Sequence, residues 1–276
     1  MISSTSRFQM YSSFFIRPFA ALYRHRELLA RTTRSELRQK YAGSLLGIFW
    51  LVALPVIFMS LYALIYLVIF RIQPVAMSRI DYVLYIFSGL IPFLGFMEAL
   101  NMGSSSLSLN KAVLLNTVFP PELVPVRAVL AAQGSTAVGL SVIVILALAL
   151  GKHSPVLILV PFVWLFLVFF VMGLVWVLSL ASLVLRDIQQ VLIFSSIVLL
   201  IISPIAYTVD MASGPMKIVV YANPLSYFLI ALHDIVVFSR APSLEISCAV
   251  VSLGLISLGG GYWVFQKAKQ VFFDYA

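Results

Sequence analysis

The residues of this chain that could do chemistry are few, and none falls in a spacing that enzymes use. Gly151-Lys152 resembles the end of a phosphate-binding loop, but that loop needs a glycine five positions earlier, where Leu146 stands. It also needs Ser or Thr after the lysine, where His153 stands. The chain therefore carries no nucleotide site of its own. HExxH, GxSxG and paired-cysteine motifs are missing as well. A single cysteine, Cys248, excludes an internal disulfide, and His25, His153 and His233 are scattered without metal-ligand spacing, so local packing is their plainer role. No catalytic residue and no bound metal are expected.

Two other features are left. Glu98 is the one acid well inside an apolar stretch, with Asn101 less than a turn away. A proton-coupled carrier relays charge through several such groups, so a lone Glu argues against secondary active transport. Phe58, Tyr62, Tyr66 and Phe70 repeat every fourth residue and line one stripe of a helix. Aromatic faces stack on sugar rings while tyrosine hydroxyls offer hydrogen bonds, which suits a polymer-conducting path; helix packing explains the stripe as well.

What positions these residues follows from composition. Of 276 residues 62% are hydrophobic and 10% charged, with a mean hydropathy of +1.07. Soluble domains are about one-quarter charged, so the chain belongs in a bilayer. Six apolar stretches are long enough to cross a hydrocarbon core of about 30 Å: residues 45–70, 82–103, 128–150, 156–184, 190–207 and 246–266. Continuous apolar runs specify helices, where barrel strands would alternate. The fold expected is an all-α polytopic membrane protein with six transmembrane helices.

Residues 1–42 form a basic arm bearing Arg7, Arg17, Arg24, Arg26, Arg31, Arg34, Arg38 and Lys40. No short apolar core follows its basic start, so it does not read as a secretory signal. Phe15, Phe19, Leu22 and Leu29 fall near one helical face, which predicts an amphipathic helix lying on an anionic membrane surface. With the arm cytoplasmic, Lys111, Arg127, Arg186, Lys267 and Lys269 join it inside, leaving Arg71, Arg79, Lys152, Lys217 and Arg240 outside. Both termini are then inside. The net charge of +8 thus reflects membrane orientation, and no nucleic-acid partner is expected. Residues 218–232 are apolar but too short to span and are interrupted by Asn223-Pro224, so they read as re-entrant. A seventh span there would shift the balance of basic charge only slightly.

At the junction of arm and first span stands Ser35-Glu36-Leu37-Arg38-Gln39-Lys40-Tyr41-Ala42-Gly43-Ser44-Leu45-Leu46-Gly47-Ile48-Phe49-Trp50, followed by Pro55. Phe119-Pro120-Pro121-Glu122-Leu123-Val124-Pro125, Leu185-Arg186-Asp187-Ile188, Ser203-Pro204 and Tyr221-Ala222-Asn223-Pro224-Leu225 follow in order. This series resembles the polysaccharide-export branch of the type-2 ATP-binding-cassette permeases, the exporters of O-antigen, capsule and teichoic acid. One departure is Ala42, where the pattern is often basic.

The resemblance implies a homodimer of six-span permeases in the bacterial inner membrane, bound to two copies of a separately encoded ATPase that supplies ATP and Mg. Its cargo would be a lipid-linked polysaccharide. It further implies an interfacial N-terminal helix, an ATPase-coupling helix between spans two and three, and short re-entrant helices between spans five and six. On this reading residues 43–276 are the permease domain, and the chain is not itself an enzyme. Pro120, Glu122, Arg186 and Asp187 are candidates for ATPase coupling, although Arg186-Asp187 can equally pair locally. Phe58, Tyr62 and Tyr66 are candidates for the substrate channel. Arg34, Arg38, Tyr41, Gly43, Gly47 and Trp50 are candidates for the gate that admits substrate. Gly43 and Gly47 have small-xxx-small spacing, which permits close helix approach or a bend. Pro120-Pro121 is expected to start a short helix with Glu122 in its first turn. Rival readings are a drug- or lipid-exporting permease and an envelope-assembly scaffold that transports nothing.

Overall fold

A computed structural model describes residues 16–65, 77–116, 119–185 and 187–270, and all regular structure among them is helical. Residues 16–24 form helical turns that break at His25 before α1, Arg26–Lys40. The other helices are α2 (Trp50–Ala63), α3 (Arg79–Leu109), α4 (Lys111–Asn116), α5 (Leu123–Ala149), α6 (Val160–Val184), α7 (Ile188–Ile202), α8 (Pro215–Ala222), α9 (Pro224–Val236) and α10 (Leu244–Ala268).

Four helices are long and apolar enough to cross a bilayer: α3, α5, α6 with its 3₁₀ lead-in from Pro155, and α10. Their starts are fixed by short polar caps. Ser78 Oγ accepts from Asp81 N–H at 3.1 Å to start α3, and Ser243 Oγ accepts from Ile246 N–H at 3.3 Å to start α10. Ser154 caps the turn into α6 in the same way. The boundaries expected for these spans are close to those found, but α3 runs six residues past position 103. With α3 starting at Arg79, Glu98 lies about 28 Å along the axis from that start, near the far end of a bilayer crossing.

The fifth expected span is shorter than its predicted bounds of 190–207. The helix stops at Ile202, because Ser203 before Pro204 adopts an extended backbone, and its 15 residues reach about 22 Å. The first span starts with a 3₁₀ turn at Gly47–Phe49 and is described as α2 up to residue 65; Tyr66, Phe70 and Arg71 lie outside the described residues. Residues 218–232 fall in α8 and α9, which meet at an angle of 92°. The cause is local: Asn223 precedes Pro224 and is held extended, its carboxamide oxygen accepting from Leu225 N–H at 3.1 Å to cap α9.

The core is built on α3, which packs against α5, α6, α7 and α9. Its mid-section holds a polar bridge. Gln133 of α5 donates to Gly95 O of α3 at 3.0 Å and accepts from Trp164 Nε1 of α6 at 2.9 Å, so its amide is satisfied at both ends. The α6–α10 contact is closer still. A Cβ at Gly173 would collide with the Ser257 carbonyl, and one at Gly261 with the Gly173 backbone. Ser257 Oγ donates to Phe170 O at 2.7 Å across the same seam. Such small-residue seams replace the hydrophobic drive that lipid cannot supply.

Gly173→Val should therefore separate α6 from α10 at a cost of about 1–3 kcal/mol or more. The expected result is a lower melting temperature of the detergent-solubilised protein in fluorescence-detected gel filtration; an unchanged melt would show that the seam tolerates opening.

Candidate functional site

The motif at the arm–span junction folds into a tight connection. Tyr41 caps α1 and is buried, while the next residues turn through Gly43 (φ 77°) and Gly47 (φ 52°). These left-handed conformations suit glycine, and nothing lies within 4 Å of either Cβ position. Of the two uses open to this glycine pair, the structure displays the bend and not close helix approach. Trp50 Nε1 donates to Ser44 Oγ at 2.8 Å and closes the connection. Arg34 and Arg38 sit on exposed faces of α1.

Beside this bend lies a cavity of about 330 Å³, walled by Tyr41, Pro55, Phe58, Leu94, Glu98 and Thr136 among others, between the end of α1 and helices α2, α3 and α5. It joins two groups of residues singled out from the sequence, Tyr41 of the gate and Phe58 of the stripe. Tyr62 lies on α2, but its side chain, like all of Tyr66, is outside the described residues.

Charge within the cavity comes from an ion pair that the sequence did not disclose. Lys40 Nζ binds Glu98 Oε1, and Ser135 Oγ donates to Glu98 Oε2 at 3.2 Å. About a quarter of each charged side chain remains exposed, 25% for Lys40 and 29% for Glu98. Burial opposes the ammonium charge of Lys40, but the Glu98 carboxylate outweighs it and holds the lysine above its ordinary value. Lys40 therefore stays cationic throughout the physiological range, facing an apolar chamber with a carboxylate beside it. The available signal was Glu98 itself, since an isolated acid in an apolar run needs an opposite charge from elsewhere in the chain.

One helical turn back along α1, Glu36 Oε2 lies 3.0 Å from Arg127 Nε, within ion-pair distance though off-line for a hydrogen bond. Burial raises the Glu36 carboxyl above its usual range, with Arg127 pulling it down less strongly. Arg127 also donates to Asn110 Oδ1 and lies 5.8 Å from the Phe119 ring centroid. One guanidinium thus touches the arm, the start of α5 and both sides of the α3–α5 connection. Leu37 of α1 reaches Gly134 of α5 alongside, and Leu29 is buried. The apolar side of the arm therefore packs in part against protein.

In that connection the short helix is α4, Lys111–Asn116, upstream of the prolines. Pro120-Pro121 does not begin a short helix as expected; it forms a turn leading straight into α5, with Glu122 as the N-cap residue. The Glu122 carbonyl accepts from Trp176 Nε1 at 2.9 Å, and Trp176 packs on Tyr262 of α10 at 5.2 Å. The arm, the α3–α5 connection and the C-terminal half of α10 thus share one end of the bundle. Asp187 is the exposed N-cap residue of α7 with no side-chain capping bond, and Arg186 lies outside the described residues. At the opposite end Lys152 pairs with Asp81 at 2.7 Å, and Arg240 with Asp234 at 2.6 Å. No cluster of metal-ligating side chains occurs among the described residues.

Reversing the Lys40–Glu98 pair tests whether it fixes the arm. Lys40→Glu or Glu98→Lys alone should destabilise by about 1 kcal/mol or more, given partial exposure. The double swap should recover at least half of the lost melting temperature, and additive losses would show that the two charges act separately.

No family model matches the chain. It is 23% identical over 260 residues to the O-antigen export system permease protein RfbA of Myxococcus xanthus, covering 93% of this chain and 98% of that protein. Two proteins of the same description from Klebsiella pneumoniae are 25% identical over 249 residues and 23% over 248, each covering 89% of this chain and 93% of the relative. The chain is a multi-pass membrane protein similar, over some nine-tenths of its length, to proteins described as O-antigen export system permeases.

Proposed function

We propose that this chain is the membrane subunit of an ATP-driven exporter that carries a lipid-linked polysaccharide from the cytoplasmic to the external face of a bacterial inner membrane. The cargo best matched to its relatives is O-antigen on a polyprenyl diphosphate. The observation that carries this reading is the near full-length similarity to O-antigen export permeases, with the junction motif folded into a bend beside a membrane-level cavity. The arm, the α3–α5 connection and both termini would face the cytoplasm. Two such chains would form a homodimer, with α2 and the short α7 completing a six-span set and α8–α9 re-entering from outside. A pair of ATPase subunits, holding ATP and Mg, would dock at the connection containing α4.

The mechanism follows from the contacts. ATPase closure would push on α4 and the Pro120–Glu122 turn; α3 and α5, joined by Gln133, would transmit the displacement. Arg127 would carry the same push to Glu36 on the arm, and Lys40 would carry it on to Glu98 beside the cavity. Arg34 and Arg38, exposed next to the Gly43–Gly47 bend, would meet the anionic diphosphate head at the bilayer surface. Phe58, and the stripe continuing through Tyr62 and Tyr66, would offer stacking faces to sugar rings as they pass.

Deleting the gene should abolish surface glycan and leave polymer inside the cell, read by labelling intact and permeabilised cells; undiminished surface polymer would overturn the reading. In the reconstituted complex, Arg127→Met should lower substrate-stimulated ATP hydrolysis several-fold while basal hydrolysis persists. Equal stimulation in wild type and variant would remove Arg127 from the coupling path.

A further inference from the structure

A cavity of about 690 Å³ lies at the end of the bundle opposite the arm, away from the Lys40–Glu98 and Arg127–Glu36 pairs. Its walls are the start of α3, the segment after α7, the bent α8–α9 pair and the turn into α10. We propose that this cavity is a sugar-binding subsite, in which Tyr221, Phe238, Asp210, Asp234 and Arg240 hold a short stretch of glycan at the external mouth of the exporter. The proposal rests on the polysaccharide reading above and assigns that cargo a holding site which the similarity to relatives does not supply.

Four features carry it. The size falls within the range of small-ligand sites, and the lining mixes aromatic faces with a few convergent polar groups. Sugar rings present positively polarised C–H groups to the negative face of an aromatic ring and hydroxyls to planar polar partners. Tyr221 and Phe238, 42% and 41% exposed, both line the cavity.

Asp234 and Arg240 form a preset polar fork. Arg240 Nε and Nη2 both hold Asp234 Oδ1, at 2.8 and 2.6 Å, which leaves Oδ2 to accept from a hydroxyl. Two-thirds of the arginine side chain is exposed, so further N–H groups remain to donate. With Asp210 nearby, the charge at the mouth is mixed, which fits hydroxyl-rich chains better than a diphosphate.

The walls are tied down. Tyr85 and Tyr82 donate through their hydroxyls to Tyr207 O and Ala206 O at 3.0 and 2.8 Å, fixing the segment after α7. Lys152 Nζ donates to Val237 O at 2.6 Å, holding the turn after α9. Pre-ordered walls reduce the entropy lost on binding.

Finally, His233 lines the inner wall, buried and stacked on Tyr85 at 3.7 Å. Its Nε2 comes so close to α3 that only Gly89 leaves it room. The stacked His233–Tyr85 pair thus forms a rigid aromatic back wall to the cavity.

The test uses the full-length chain in lipid nanodiscs, titrated with oligosaccharides released by mild acid from the host's own surface polymer and read by saturation-transfer NMR. Saturable binding is expected, weakened at least tenfold by Tyr221→Ala, whose exposed ring can be removed without disturbing the fold. Asp234→Asn should weaken it similarly, with melting temperature and gel-filtration profile recorded for both. Ile256→Ala, at an exposed position of α10 that lines neither cavity, should leave it unchanged. Absence of saturable binding to wild type, or equal affinity in wild type and a folded Tyr221→Ala, overturns the subsite. If binding is absent while gene deletion still abolishes surface polymer, the export reading stands and the subsite alone falls. If deletion leaves surface polymer intact, the export reading falls whatever the titration gives.

Discussion

Hydrocarbon supplies no hydrogen-bond partners, so every polar group this chain takes below the bilayer surface has to be answered from within the chain itself. That constraint explains where its charges are. Lys40 meets Glu98 and Arg127 meets Glu36 at one end, while Lys152 meets Asp81 and Arg240 meets Asp234 at the other. Between them the buried amide of Gln133 is spent on two partners from two different helices. Each of these links joins segments distant in sequence or closes a turn, so the arrangement of helices and the satisfaction of polar groups are one problem. Breaking a pair leaves a partly buried charge without its partner, most so for Asp234, whose side chain is only 8% exposed.

The same medium dictates where helices stop. An interrupted backbone is tolerated only where protein or water receives its freed groups. Gly43 and Gly47 turn the chain at the surface, and Trp50 bonds across the bend. Asn223-Pro224 breaks α8 from α9, but the Asn223 side chain caps the next helix and its amide also donates to Ser203 Oγ at 2.9 Å. That second bond ties the bent pair to the end of α7, so the non-spanning segment is anchored to its neighbour.

The two ends of the bundle differ in what they offer. On the arm side, a chain of contacts runs from the α3–α5 connection through Arg127 and Glu36 to Lys40 and Glu98, beside a mostly apolar cavity. On the far side, aromatic rings and an Asp–Arg fork line a wider and more polar cavity. The proposed export role would use the first end as a surface to be pushed and the second as part of the path for the polymer.

Sequence alone determined the medium, the helical class, four apolar helices long enough to cross a bilayer to within a few residues, and the break at Asn223-Pro224. Those features depend on composition, run length and proline stereochemistry, all of which are local. The junction motif was legible too, because its residue types are distinctive. What only tertiary structure decided were the partnerships. Glu98 read as an isolated acid until α3 proved long enough to carry it to the level of Lys40, and Arg127 read as one more cytoplasmic cation until Glu36 and Asn110 converged on it. The Gly43–Gly47 spacing fitted two uses, and backbone dihedrals chose the bend. Pro120-Pro121 was placed at the wrong helix, since an N-terminal proline suits a six-residue helix and a 27-residue one equally. Pairings of this kind depend on which helix faces come together across 17 to 91 residues of chain, and no local pattern encodes that distance.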